Sequence, residues 1–171
     1  MSPNPARNPD GEAGRTIRVD EPRAVPWLSI VFGYGPMLPF VGGAVLVWWL
    51  RGGPAEAVFT LTVLWACAIL LFLSGVRRGV SFRTEGGATL AQMATMIGLF
   101  SLGFCALAAF VLGFPVAALA LLIAGFTAIT ILDPIAAERG EAPLFFERLR
   151  PAQIPLAVLS LAALLAYRWA V

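Results

Sequence analysis

The chain lacks histidine altogether, and its twelve basic residues are all arginine. Without histidine, the commonest metal ligand and general base in proteins is missing, and no haem can be held through an imidazole. There are only two cysteines, Cys67 and Cys105, and their spacing matches no zinc or redox motif. The sequence therefore predicts no catalytic residue, no metal and no cofactor, and we expect a protein that is not an enzyme.

Charge is scarce as well. Charged residues make up 13% of the chain and apolar residues 59%, against averages of about 25% and about 45–50% in soluble proteins. This leaves too little polar material to cover a soluble domain of 171 residues, so lipid must solvate most of the surface. The net charge of +2 is small and the arginines are scattered, which predicts no nucleic-acid partner.

Long uncharged runs are abundant. A helix needs about 20 apolar residues to cross a bilayer core of about 30 Å. The run from Ala88 to Leu132 would be about 67 Å long as one helix, so it must reverse, and Gly113-Phe-Pro115 is the strongest breaker inside it. The sequence therefore predicts an all-α, polytopic transmembrane helical bundle. Its five expected spans are residues 27–50, 55–76, 88–112, 115–132 and 151–169.

The segments outside the spans are polar. Residues 1–25 are rich in proline and charge, which predicts a disordered cytoplasmic tail before a membrane domain of residues 26–171. We expect Arg77-Arg78 to end the second span, because an arginine costs about 2.5–3.5 kcal/mol at the centre of a membrane helix. Asp133-Pro134 should end the fourth span, and residues 143–150 favour a short interfacial helix before the fifth.

The arginines also predict an orientation. Ten of them lie in the tail and in the segments 77–87 and 133–150, and two lie in the remaining connections and at the C-terminus. Because basic residues concentrate on the cytoplasmic side, we expect a cytoplasmic N-terminus and a C-terminus outside. Exclusive use of arginine together with many alanines, glycines and leucines indicates a GC-rich bacterial genome, and hence a bacterial inner membrane.

The first span contains an irregular stretch from Gly33 to Phe40 with two prolines, Pro36 and Pro39. Proline cannot donate a backbone hydrogen bond, so a kink is expected. The carbonyls that a kink frees must be satisfied by protein or water at membrane depth. Two interpretations stay open: a bent packing helix, or a broken helix that lines a small-ligand site as in transporters.

Four polar residues are predicted to meet near the cytoplasmic boundary: Arg77, Arg78, Gln92 and Asp133. We expect Arg77 to pair with Asp133, because a carboxylate at a helix C-terminus is unfavourable without a cation. Arg78 points about 100° away around the helix and should face lipid head groups, while the opposite assignment of the two arginines stays open. The cluster would serve either as an interfacial anchor or as a polar site or docking face.

The third span carries small residues at helical spacing. Such stripes allow helix backbones to approach closely in lipid, which predicts that this helix is central. The pattern leaves open whether the stripe packs within the chain or against a partner. Its members are Ala91, Ala94, Gly98, Ser101, Cys105 and Ala108.

Three stretches carry a resemblance to a known family: Gly33 to Phe40, Phe72 to Gly79, and Asp133 to Arg150. They resemble the transmembrane protein 69-like family, whose shared domain has no assigned function, and the similarity covers roughly Trp27 to Tyr167. The resemblance implies an integral membrane protein with bacterial and mitochondrial relatives, and it supplies no catalytic residue.

These observations together predict an integral inner-membrane protein with a structural or accessory role, associating with a membrane complex or with lipid. The alternative is a small transporter or channel-like component that uses the kinked first helix. The expected partners are the lipid bilayer and either another membrane protein or a second copy of this chain.

Overall fold

The structure, a computed structural model, describes residues 27–81, 88–138 and 145–171, and these residues contain helices and no strand. The predicted tail of residues 1–25 lies outside the described residues, as do residues 82–87 and 139–144. The helices are α1 (Trp27–Tyr34), a 3₁₀ turn (Gly35–Met37), α2 (Leu38–Trp49), α3 (Gly53–Ser81), α4 (Leu90–Val111), α5 (Pro115–Glu138) and α6 (Phe145–Ala170).

The predicted number of spans, five, is confirmed within these described ranges. Five helical stretches are long and apolar enough to cross a membrane, and α1, the 3₁₀ turn and α2 together supply the first. The stretches are Ile30–Trp49, Gly53–Gly79, Leu90–Val111, Pro115–Ala136 and Pro151–Ala170. An all-α transmembrane bundle follows from chain segments that each exceed the about 20 residues needed to span a bilayer.

Consecutive helices pack side by side, and α2 also packs against α6, which closes the bundle. The core consists mainly of aromatic and branched aliphatic side chains from all five spans, with Leu70 of α3 and Phe126 of α5 completely buried. Phe40 of α2 meets Phe126 edge to face, with ring centroids 5.4 Å apart. This arrangement brings the end of α3, the start of α4 and the end of α5 to one end of the bundle.

Close approach between helices depends on three glycines. A Cβ on Gly43 would lie 2.0 Å from Oγ1 of Thr62, and one on Gly125 would lie 2.5 Å from Cδ2 of Leu70. A Cβ on Gly103 would lie 3.2 Å from the side chain of Leu71. These are the positions where small size lets neighbouring helices touch in the way expected of membrane bundles.

Two predicted helix ends and one predicted separate helix are wrong. Helix α3 continues past Arg77 and Arg78 to Ser81, and α5 continues through Pro134 to Glu138. Residues 145–150 form the first turns of α6 and are not a separate interfacial helix. The cause is common to all three: charge ends the stretch that can lie in hydrocarbon, but the backbone hydrogen bonds of a helix can continue into the interface.

The predicted interruption of the first span is confirmed. Helix α1 gives way after Tyr34 to the 3₁₀ turn that contains Pro36, and α2 then begins with Pro39 as its second residue. A proline nitrogen cannot bond to the carbonyl four residues earlier, so Pro39 frees the carbonyl of Gly35. The backbone N–H of Leu38 donates to that carbonyl, and the tighter turn thereby satisfies it.

Two side chains from other helices also bind carbonyls at the interruption. Nε2 of Gln153 donates to the carbonyl of Gly33 at 2.6 Å, and Nε1 of Trp65 donates to the carbonyl of Pro36 at 2.9 Å. Protein groups therefore satisfy polar backbone at membrane depth, as this environment requires. The contacts fasten the interrupted helix to α3 and α6.

The small-residue stripe of α4 does not pack against the other described helices, and α4 is not central. Only 17% of this span is buried, against 33–39% in the other four. The buried face of α4 carries Gln92, Leu99, Gly103 and Ala106. Ala108 is half-buried. The other five members of the stripe are exposed: Ala91, Ala94, Gly98, Ser101 and Cys105. Because α4 is apolar all round, residue size alone did not indicate which face turns inward.

Candidate functional site

The candidate site lies at the end of the bundle where α3, α4 and α5 meet, and its centre is Arg77. Nη2 of Arg77 donates to Oδ1 of Asp133, and Nη1 donates to Oγ1 of Thr95 at 3.3 Å. The side chains of Arg77 and Asp133 are 16% and 7% exposed. The expected ion pair is thus present, and one guanidinium links three helices.

Thr95 is a member of this site that the sequence analysis missed. Its hydroxyl lies within 3.0 Å of the carbonyls of Ala91 and Gln92, to which it can donate, while it accepts from Arg77. A threonine that bonds back to its own helix is common in membrane spans, so its spacing from Ala91 gave no distinctive signal. Only the position of α4 beside α3 brings it to the guanidinium.

Arg78, which was expected to face lipid head groups, contacts the neighbouring helix α4. Its Nη1 lies 3.4 Å from Oγ of Ser81 and 3.3 Å from Sδ of Met93, so it contacts α4 as well as its own helix. The residue is half-buried. Arg78 therefore lies against both α3 and α4 at this end of the bundle.

Gln92 has a structural task at the start of α4. Its Oε1 accepts from the backbone N–H of Thr89 at 3.0 Å, and its backbone N–H donates to Oγ1 of Thr89 at 3.2 Å. This reciprocal pair is a capping box, which satisfies N–H groups that the first helical turn leaves without partners. Gln92 therefore fixes where α4 begins, directly beside Arg77 and Arg78.

The four predicted polar residues thus have three different roles. Arg77 and Asp133 form a buried ion pair, whereas Gln92 caps a helix and Arg78 lies between α3 and α4. Within the described residues, no group of three or more histidine, cysteine or acidic side chains could hold a metal ion. The arrangement can fasten helices, and its described residues present no nucleophile next to a base.

A second polar position appears at the interrupted first span. Gln153 is 3% exposed, and its Oε1 finds no hydrogen-bond partner among the described residues while its Nε2 binds Gly33. Gln153 was not among the site residues predicted from the sequence. It stands two residues after Pro151 in an otherwise apolar span, and that isolation was the available signal.

Comparison with known proteins gives one positive result. Residues 25–166 match a family described as "Protein of unknown function (DUF3429)". The match covers most of the chain, so the chain belongs to this family. Neither the curated proteins nor the solved structures contain a significant match.

Proposed function

We propose that this member of the DUF3429 family is a non-catalytic accessory component of a membrane complex, and that α4 is the helix that contacts its partner. The observation that carries the proposal is the exposed stripe of α4. In hydrocarbon, helices associate through close packing of small residues, since lipid tails are as apolar as leucine. A face of small residues that none of the described helices covers is suited to a partner helix.

The burial pattern supports this assignment. A smaller share of α4 is buried than of any other span, and yet Leu99 lies in the core and Gly103 lies against Leu71 of α3. A well-anchored helix with an uncovered small-residue face can bind a second helix without rearranging the bundle. Phe100 and Phe104 stack in parallel on the same helix, with centroids 6.3 Å apart, and add apolar area beside the stripe.

Pull-down from native membranes in mild detergent tests the proposal. A Cβ on Gly98 meets nothing within 4 Å, so Gly98→Leu should leave the fold intact while separating a partner helix from the stripe. The control is Gly42→Leu, because Gly42 of α2 also has open space. We expect Gly98→Leu to lose a partner that the natural chain and Gly42→Leu both retain.

The opposite result would be equally informative. If no partner is recovered with any of the three proteins after crosslinking in the membrane, or if Gly98→Leu retains it, the stripe faces lipid and the accessory role is wrong. Cys105 lies on the stripe and is exposed, whereas Cys67 is buried. Oxidative crosslinking through Cys105 would separately reveal whether the partner is a second copy.

The runner-up function is a small transporter or channel-like component built on the interrupted first span. It is favoured by the unpartnered Oε1 of Gln153 beside backbone carbonyls of that span, since transporters place polar backbone and side chains at broken helices. Solute uptake by the purified protein alone in vesicles would support it. Its loss in Gln153→Leu, with Gly42→Leu still active, would assign the uptake to this position.

We also propose which membrane holds the protein and how the chain is oriented in it. Arginine asymmetry supports a cytoplasmic N-terminus and an external C-terminus, and arginine-only composition supports a bacterial inner membrane. The resemblance to transmembrane protein 69-like proteins supports relatives in bacteria and mitochondria. Periplasm-specific reporters fused after Gly53 and Val171 should be active and one fused after Glu85 inactive; an inactive C-terminal fusion would contradict this topology.

A further inference from the structure

Helix α1 is joined to α2 by a connection with two missing backbone hydrogen bonds. Pro36 and Pro39 have no N–H, so neither can bond to the carbonyl four residues earlier in the helix. The 3₁₀ turn lies at this position, and a short 3₁₀ stretch inside a helix often marks a hinge. Gly35, the first residue of the turn, has open space around it. Fewer hydrogen bonds therefore oppose bending here than in an uninterrupted helix.

Very little of α1 is buried against the bundle. Among the residues of α1 whose burial the structure describes, only Gly33 is buried. Helix α2, by contrast, buries Phe40 and Val47 completely. Lipid solvates the apolar side chains of α1 wherever the helix lies, so transfer from water does not hold them on the bundle. The exposed side chains are those of Trp27, Leu28, Ile30, Val31, Phe32 and Tyr34.

Two hydrogen bonds from other helices lie on either side of the bend. On the side of α2, Nε1 of Trp65 donates to the carbonyl of Pro36 at 2.9 Å, which ties the turn to α3. On the side of α1, Nε2 of Gln153 donates to the carbonyl of Gly33 at 2.6 Å. Because Gly33 is also the buried point of α1, Gln153 fastens α1 to α6 there.

The contact of Gln153 with Gly33 is close to energetic balance. Oε1 of Gln153 is buried and finds no hydrogen-bond partner among the described residues. A buried acceptor without a partner costs about as much free energy as one intramolecular hydrogen bond contributes. The unpaired half of the amide therefore offsets the stabilisation that the paired half provides.

Both partners of this contact also lie close to a membrane boundary. Gln153 stands two residues after Pro151, where the last span begins. Gly33 stands three residues after Ile30, where the first span begins. Polar groups near the boundary can be satisfied by water instead of by each other, so breaking the contact leaves neither group stranded in hydrocarbon.

We propose that α1 is a hinged arm that bends at the 3₁₀ turn between a closed position on α6 and an open position in the membrane interface. The hydrogen bond of Gln153 to Gly33 is the latch of the closed position, and Trp65 holds the turn in both. In the open position Trp27 lies in the interface, which suits tryptophan, and water reaches Oε1 of Gln153. The arm rests on neither function proposed above, because none of these residues belongs to α4 and its test measures no transport.

Distances between spin labels in the full chain, reconstituted in lipid nanodiscs, test the arm. One label is attached at Leu28→Cys in α1 and the other at Ile131→Cys in α5, both exposed positions. The natural cysteines are removed by Cys67→Ala and Cys105→Ala. We expect two distances between the labels, one for each position of α1. A reference pair at Val45→Cys in α2 and Ile131→Cys should give one distance, because α2 is held in the core.

Variants then locate the latch and the hinge. Gln153→Met keeps the length of the side chain and should raise the ratio of open to closed molecules about fivefold, since the closed position loses one hydrogen bond. The control is Ser160→Ala, because Oγ of this buried serine in α6 bonds to the carbonyl of Leu156 in its own helix; the ratio should not change. Combining Pro36→Ala with Pro39→Ala should restore the missing backbone bonds and leave a single distance.

Three results would overturn the proposal. A single distance in the natural chain would show that α1 is fixed. An unchanged ratio in Gln153→Met, or an equal change in Ser160→Ala, would show that Gln153 is not the latch. Two distances in the double proline variant would place the hinge elsewhere. If Gln153→Met fails to fold, the natural chain and the double proline variant still decide whether α1 bends at the turn.

Discussion

Each end of the bundle holds one ion pair between described residues, and the two pairs differ in almost every physical respect. Arg77 and Asp133 join α3 and α5 with side chains that are 16% and 7% exposed. Arg168 and Glu56 join α6 and α3 at 3.1 Å with side chains that are 36% and 52% exposed. The same chemistry is therefore placed in two different dielectric surroundings.

The surroundings determine what each pair can contribute. Removing one partner of a buried pair leaves an uncompensated charge in a poorly solvated site. An exposed pair loses little, because water solvates either partner that remains. Arg168 also lies 5.7 Å from the ring centroid of Phe59, and Tyr167 packs on Trp48 and Phe59, so aromatic contacts fasten this end with or without the ion pair.

The largest expected effect comes from breaking the buried pair. Asp133→Arg or Arg77→Asp should each lower the free energy of unfolding by about 3–5 kcal/mol, because each leaves like charges together in a buried site. The double exchange should recover part of the loss, and so should the neutral double variant Arg77→Gln with Asp133→Asn. Thermal unfolding in detergent measures all five proteins; strictly additive losses would show that the two residues do not interact.

A smaller loss of stability is expected from a substitution in α4, the third helix at this site. Thr95→Val removes the acceptor of Arg77 Nη1 and should cost about 1.5 kcal/mol, the low end for hydrogen bonds to charged groups because 3.3 Å is a long contact. The control is Thr130→Val, since the hydroxyl of Thr130 bonds to the carbonyl of Phe126 in its own helix. Equal effects of the two changes on thermal unfolding would argue against a role for Thr95 in holding Arg77.

The exposed pair should matter least among these substitutions. Glu56→Gln should lower stability by only about 0.2–1 kcal/mol, the range measured for solvent-exposed ion pairs. A coupling energy in that range is also expected from the cycle of Glu56→Gln with Arg168→Gln. A coupling as large as that of the buried pair would mean that a partner or lipid covers this end and excludes water.

Salt should also separate the two ion pairs, because it screens exposed charges more strongly than buried ones. At about 1 M salt the screening length falls to about 3 Å, so the coupling of Glu56 with Arg168 should vanish while that of Arg77 with Asp133 persists. Repeating both double-mutant cycles at low and high salt measures this difference. Equal screening of both couplings would show that water reaches the buried pair.

Several features of the bundle could be predicted from the composition and the order of the segments. The existence of five spans follows from apolar runs of sufficient length, because the transfer of each helix into hydrocarbon depends mainly on its own residues. The interruption at Pro36 and Pro39 follows from a missing donor, which is a property of proline itself. The pairing of Arg77 with Asp133 followed from alternating topology, which brings every second helix end to the same side.

Other features were decided only when the helices packed. The stripe through Gly98 looked like a packing face, but Leu99 is the residue that turns inward and the stripe remains exposed. The close approaches instead occur at Gly43 and Gly125. Rotation of a uniformly apolar helix about its axis costs nothing by transfer to lipid, so contacts with neighbouring helices alone select the buried face.

The hydrogen bonds of the polar side chains likewise depended on tertiary structure. Thr95 and Gln153 gained their roles from residues more than 15 positions away, Arg77 and Gly33, and no local pattern records such contacts. The sequence by itself determined how many helices enter the membrane and which ends carry charge, because hydration of each segment is a local property. Which faces meet, and which polar groups satisfy one another, depends on neighbours that only the assembled bundle supplies.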